Sequence, residues 1–256
     1  MRPALSRVLG LLDQPRAYQA LRWQPRSLAA LELCNRLALL APGLRAIIDG
    51  GANVGQFARA ATETYPDAQI FSFEPLPEAG AAFRDNLKGR SQVRLFPSAL
   101  GAREGVLTFY PNAYSQSSSA LHLTPEHRRS FGQDKELPPT TVPVTTLDAL
   151  AAGTPLPRPL LVKLDLQGYE LNALLGGRQM LATVDQVLVE TVFRPMYEGE
   201  PLFDDLRGFL LTQGFRFVMP LAFLEDDAGL IVQMDALFAR SPSSPTGATT
   251  PGSPKA

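Results

Sequence analysis

Apolar residues change their period repeatedly along this chain, and each change marks a strand giving way to a helix. Residues 44–49 form a short isoleucine-rich apolar run, the pattern of a strand buried on both faces. A glycine-rich turn follows, and Phe57, Ala60, Ala61, Thr64 and Tyr65 then recur at helical spacing. Residues 69–73 read as a second strand. Pro77 suits a first helical turn, and Ala81, Ala82, Phe83 and Leu87 carry a helix as far as Gly89. Residues 93–96 make a third strand and 105–110 a short extra one. Residues 111–143 are poor in any period. Thr146 then caps a short helix, and a fourth strand at 160–164 leads into a helix through Leu171, Leu174, Leu175 and Leu181. A fifth strand at 187–192 precedes a helix through Phe203, Leu206, Leu210 and Leu211, which Gly214 stops. Residues 215–219 and 230–239 read as a closing hairpin around a turn at 225–229.

The two ends differ from this alternation. Residues 1–44 read as a helical arm, with a stripe of Leu5, Val8, Leu9 and Leu12 and a second helix capped by Ser27. Residues 1–45 hold seven arginines against Asp13 and Glu32, so the arm is basic. It is expected to pack on the sheet or over the site. The tail at 241–256 is rich in Ser, Pro and Thr and reads as disordered.

The first strand and its turn carry the clearest chemistry. Asp49 ends the strand, and Gly51, Asn53 and Gly55 follow at alternate positions. Glycine there lets a ligand approach the backbone, and the helix behind presents free N–H groups. The dinucleotide pattern of three spaced glycines is not met, because Ala52 and Asn53 fall where the second would be. An acid at Asp49 would repel a pyrophosphate and suits a cation. Glu74 closes the second strand, where a carboxylate can accept both hydroxyls of a ribose. A ribose with a positive charge and no pyrophosphate describes S-adenosylmethionine better than NAD.

Composition narrows the remaining choices. The chain has 256 residues, 45% hydrophobic and 19% charged, which is enough for a full α/β core. A formal net charge of −1 gives no general pull toward nucleic acid. Cys34 is the single cysteine, which excludes an internal disulfide and a Cys-based zinc site. It fits a reduced, cytoplasmic setting. No stretch has the apolar length of a membrane span, and no signal-peptide pattern opens the chain.

The ordered set from Ile48 to Gly55, then Phe73-Glu74-Pro75, Ala99-Leu100-Gly101, and serines among residues 115–119 resembles the FkbM family of methyltransferases. Val162-Lys163-Leu164-Asp165-Leu166-Gln167-Gly168-Tyr169-Glu170 is the more specific motif. The match runs on through Val189-Glu190 and Gln233 to Phe238, so it covers about residues 45–240. It implies a Rossmann-like class I methyltransferase fold: a seven-stranded, mostly parallel sheet with an antiparallel last strand and helices on both faces. It implies cofactor contacts at Asp49, Gly51, Asn53, Gly55, Glu74, Ser98, Ala99 and Leu100. It also implies S-adenosylmethionine-dependent O-methylation of a sugar, glycan or secondary-metabolite hydroxyl. Many relatives carry Glu where this chain has Gln167, which removes one carboxylate from the motif.

Such a hydroxyl is a poor nucleophile and needs a base or a metal. Asp165 and Glu190, each at the carboxyl end of a parallel strand, are the candidates. They could share a Mg²⁺ ion, as in catechol-type O-methyltransferases, or act singly as base. His122 or His127 could instead supply the base from residues 111–143, which are expected to cover the substrate. Lys163 and Tyr169 fit packing or orientation. Two other classes stay open: a cofactor-binding assembly partner without catalysis, and an NAD-type oxidoreductase.

Overall fold

A computed structural model of the chain describes residues 27–131, 135–226 and 228–241. The amino-terminal stripe from Leu5 to Leu12 and the Ser/Pro/Thr-rich tail lie outside the described residues. Seven strands build the main sheet: β1 (Ala46–Gly50), β2 (Gln69–Phe73), β3 (Val93–Phe96), β7 (Leu160–Leu164), β8 (Gln186–Val192), β9 (Phe215–Glu225) and β10 (Ile231–Arg240). Their spatial order is β3-β2-β1-β7-β8-β10-β9. Neighbours from β3 through β8 run parallel, and β10 lies antiparallel to both β8 and β9. The last strand in the chain is therefore the antiparallel one, and it forms a hairpin with β9.

The apolar runs explain the layering. β1 and β7 are buried along their whole length, as strands covered on both faces must be. Ala46, Ile48, Leu160, Val162 and Leu164 point to one face. There they meet α5 (Leu147–Gly153), α6 (Glu170–Leu175), α7 (Arg178–Leu181) and α8 (Phe203–Thr212). Ile47 and Leu161 point to the other face. Those residues meet α1 (Leu28–Leu40), α2 (Gln56–Thr64) and α3 (Pro77–Asn86). The two cores together define an α/β sandwich of the Rossmann-like kind.

Ser27 caps α1, its hydroxyl accepting the Ala30 N–H at 3.2 Å. The helix buries Ala30, Cys34 and Leu37 in the second core and packs on α2 and β9, so the arm's described part belongs to the body of the fold. Among the described residues, no helix is long and apolar enough to cross a membrane.

Residues 111–143 are more regular than their sequence suggests. They include α4 (Pro125–Phe131) and most of β6 (Thr140–Thr145). β6 lies between β4 (Ala99–Leu100) and β5 (Gly105–Phe109) in a small second sheet. Val142 and Val144 alternate inward with exposed neighbours, a period of two that Pro138, Pro139 and Pro143 obscure in the sequence.

Candidate active site

All the parallel strands end at one edge, and a cavity of about 200 Å³ opens there. The turn after β1 forms its floor. Gly51 has φ +74°, and a Cβ there would stand 1.8 Å from the backbone oxygen of Asp165, so only glycine fits. Asn53 takes a left-handed φ of +46°, which Asn tolerates better than most residues. Its N–H donates to Glu74 Oε2 at 2.9 Å. Gly55 is the residue before α2, at φ +91°, with Leu87 and Phe83 packed where a Cβ would go.

Glu74 is buried, and its second oxygen accepts the Leu76 N–H at 2.9 Å. Burial pushes its carboxyl up to about 7, against the pull of those two backbone donors. A carboxylate offers about four lone-pair sites, so both oxygens can still accept from a ligand diol.

Asp49 lies beneath the turn rather than in the cavity wall. It is fully buried, 3.2 Å from Lys163 Nζ, and its Oδ2 accepts the Ser72 hydroxyl at 3.2 Å. Lys163 faces Asp49 across the β1–β7 pairing and comes within 3.7 Å of Asp165. Burial alone would lower the pKa of this lysine. Asp49 first, and Asp165 next, hold its pKa above the usual lysine range. Lys163 thus ties Asp49, beneath the glycine turn, to Asp165.

The opposite wall is a hydrogen-bonded cluster. Asp165 follows β7, and Glu190 lies near the end of β8. Gln167 Nε2 stands between them, donating to Asp165 Oδ1 at 2.8 Å and to Glu190 Oε2 at 2.6 Å. The Tyr197 hydroxyl donates to Gln167 Oε1 at 2.7 Å, and Gln233 Nε2 donates to Glu190 Oε1. Gln167 itself sits at φ +55°.

Residues 111–131 close over this wall. Ser115 Oγ donates to Asn53 Oδ1 at 3.2 Å, and Ser119 Oγ donates to the Gln167 carbonyl at 2.6 Å. One strap therefore touches both the glycine turn and the carboxylate cluster. His127 lines the cavity, edge-on to the Tyr197 ring with centroids 5.2 Å apart. Burial, then Arg128, lowers its pKa to about 4, so it is neutral at pH 7. His122 is placed elsewhere, its ring tilted against that of Tyr110 with centroids 3.8 Å apart, and 3.4 Å from Glu136.

Of the residues singled out from the sequence, Gly51, Asn53, Glu74, Ala99, Leu100, Asp165 and Glu190 line the cavity. Asp49 and Gly55 support it from behind, and Ser98 falls outside the lining, its N–H donating to Phe96. Tyr197, Gln233 and Glu200 were not anticipated. The start of α1 also reaches the cavity, where Ser27, Ala30 and Leu33 complete one side, in keeping with the expectation that the arm packs on the sheet or over the site. Tyr197 and Glu200 lie in an irregular stretch without periodicity, which gave no signal. Ser27 was read as a cap only.

A cradle that only glycine permits, beside a diol-accepting carboxylate, fits S-adenosylmethionine. The donor set does not fit Mg²⁺. That ion wants a near-octahedral shell of oxygens, whereas an amide nitrogen aims hydrogens at both carboxylates. Among the described residues, no group of three His, Cys, Asp or Glu side chains is placed to hold a metal.

The sheet order, the glycine turn and Glu74 define a methyltransferase dependent on S-adenosylmethionine. Residues 49–217 match the family model described as the methyltransferase FkbM domain, and the chain belongs to the FkbM methyltransferase family. The 2-O-methyltransferase NoeI of Sinorhizobium fredii is 29% identical over 179 residues, covering 66% of this chain and 74% of that protein. Methyltransferase sdnD of Sordaria araneosa is 30% identical over 65% of this chain and 74% of its own length. Hexuronic acid methyltransferase AglP of Haloferax volcanii is 27% identical over 56% of this chain and 54% of its own. Among solved structures, a TehB-like SAM-dependent methyltransferase of Corynebacterium glutamicum overlays with a TM-score of 0.41 at 10% identity. The overlay covers 82% of this chain and 88% of that one, and so slight a likeness carries no weight beside the strand order.

Proposed function

We propose that this methyltransferase acts on a hydroxyl oxygen of a sugar, glycan or secondary metabolite. The observation that carries the reading is that Asp165 and Glu190, joined through Gln167, line the same cavity as the glycine turn and Glu74. The names of NoeI and AglP, which specify a 2-O position and a hexuronic acid, support a sugar-like acceptor.

Bound S-adenosylmethionine supplies an electrophilic methyl on a sulfonium. Gly51, Asn53 and Glu74 hold the cofactor, with Ala99 and Leu100 alongside. Asp49 and Gly55 act through the turn's shape, Asp49 by anchoring Lys163 and Gly55 by starting α2. Asp165 takes the proton of the acceptor hydroxyl as its oxygen becomes the nucleophile, and Glu190 orients that hydroxyl from β8. Alignment and base assistance are the two contributions that the chain itself must make. No metal enters this reading. Residues 111–143 cover the acceptor and exclude water. The setting is cytoplasmic and the acceptor is a small molecule or glycan rather than a nucleic acid.

The test is radiolabelled methyl transfer from S-adenosylmethionine to a panel of hydroxylated sugars and glycans, with and without a chelator. Transfer to oxygen, insensitive to chelator, is expected. Cofactor binding without transfer to any member would favour the assembly-partner reading. Transfer only to nitrogen or carbon, or complete loss with chelator, would overturn this one.

A further inference from the structure

We propose that Gln167 is a positioning residue that stands where a divalent cation would sit between Asp165 and Glu190, and that its amide makes the site independent of metal. The inference rests on the reading of those two carboxylates as the acceptor-facing pair.

Two carboxylates converging on one point repel each other, and proteins relieve this with a shared proton or a shared cation. Here the two hydrogens of one amide nitrogen bridge the pair, at 2.8 Å and 2.6 Å, while Lys163 lies 3.7 Å from the other Asp165 oxygen. Which end of the amide faces the carboxylates is fixed by its other partner. The Tyr197 hydroxyl donates to Oε1, and a half-turn of the amide would set that oxygen against two anions.

The backbone is held as firmly as the side chain. Gln167 adopts a left-handed φ that is uncommon outside glycine. Its carbonyl accepts from Ser119, and Gly168 follows at φ +92° with Leu121 and Glu200 packed against it. Gln233 occupies the remaining Glu190 oxygen. An amide placed this way orients both carboxylates and adds no charge of its own.

The decisive variant is Gln167→Glu, which keeps the shape but exchanges two donors for a third anionic oxygen pair. Titration of purified protein with Mn²⁺ alone needs no acceptor and no turnover. The unmodified protein should take up no Mn²⁺ at the cluster below the millimolar range, and Gln167→Glu should bind one ion at least roughly 10-fold more tightly. Should the variant fold poorly without metal, Mn²⁺ should restore its melting transition, which also supports the proposal. A folded Gln167→Glu chain with no gain in Mn²⁺ affinity overturns it. So does a variant that folds neither with nor without the ion, and so does micromolar Mn²⁺ binding at the cluster of the unmodified protein. S-adenosylhomocysteine calorimetry on the unmodified protein separates the two claims, because its failure strikes the methyltransferase site and leaves the Mn²⁺ comparison standing.

Discussion

The two walls of the cavity are made in different ways. The wall proposed to hold the cofactor is built mainly from backbone, with glycines at positive φ and the N–H of Asn53, plus the Glu74 carboxylate at a strand end. The wall proposed to face the acceptor is built from side chains that come from four separate stretches, with Asp165 and Gln167 after β7, Glu190 on β8, Tyr197 beyond it and Gln233 on β10. A backbone cradle recognises one invariant ligand and is fixed by local geometry. A network of side chains can be altered one residue at a time. On the proposed reading, the difference separates binding of the methyl donor from the chemistry done with it, and it should be visible in variants.

The largest effect is expected on the acceptor wall. Asp165→Asn keeps the shape and removes the charge, so turnover should fall roughly 10²–10⁴-fold. Melting temperature should move little, because Asp165 is partly exposed and its ion pair with Lys163 spans 3.7 Å. Stopped assays beside thermal melts check both halves of that statement.

Gly51→Ala attacks the point where the two walls touch. Its Cβ would meet the Asp165 carbonyl oxygen at 1.8 Å, and the residue would be held at positive φ. A loss of roughly 2–4 kcal/mol of folding stability is expected, measured by denaturant titration. An unchanged midpoint would mean that the β1 turn and the β7 end are not in contact.

A third contrast comes from pH. Folded carboxyls at about 7 for Glu74 and Glu200 and about 8 for Glu170, raised by burial from 4.5, bind protons that the unfolded chain has released. Their stabilising contribution is complete below about pH 4.5 and disappears as pH rises through 7 to 8. His127 works the other way, its contribution vanishing as pH falls from 6.5 toward 4. Between pH 8 and 6.5 the acids act alone, so the ligand-free protein should melt higher at 6.5, by about 2–4 °C for each kcal/mol gained. Cofactor affinity should move in the opposite sense. A protonated Glu74 is a poorer diol acceptor, and affinity should weaken up to roughly 10-fold between pH 8 and 6. Parallel rather than opposite trends would remove Glu74 from the ribose site.

The contrast also explains what could be read in advance. The cofactor wall was legible because it is contiguous: the apolar run, the spaced small residues and Glu74 all lie in one βαβ unit. The sheet was legible for the same reason, since β1, β2, β7 and β8 each carry their own buried run, and only β3 at the edge is half-exposed. Of the hydrogen-bonded cluster, the sequence singled out Asp165 and Glu190 as candidates because they lie at or near strand ends. Gln167 read as a missing carboxylate, because a sequence does not show that an amide can donate to two anions at once. Tyr197 had no pattern around it, and β6 was hidden by three prolines despite the inward alternation of Val142 and Val144.

The smallest effect concerns the strap over the site. Limited proteolysis within residues 111–143 should slow when cofactor and acceptor are both present, because Ser115 and Ser119 tether the strap to the two walls. Equal cleavage under both conditions would count against a covering role.

Calorimetry of S-adenosylhomocysteine binding to Glu74→Ala and Asp165→Asn, side by side, tests the division of labour most directly. Glu74→Ala removes the acceptor of two ribose hydrogen bonds, each worth roughly 1.5–3 kcal/mol, and affinity should drop about 100-fold or more. Asp165→Asn should bind within about threefold of the unmodified protein while transferring almost no methyl. Unchanged affinity in Glu74→Ala, or a loss of product binding in Asp165→Asn as large as its loss of turnover, would contradict the account.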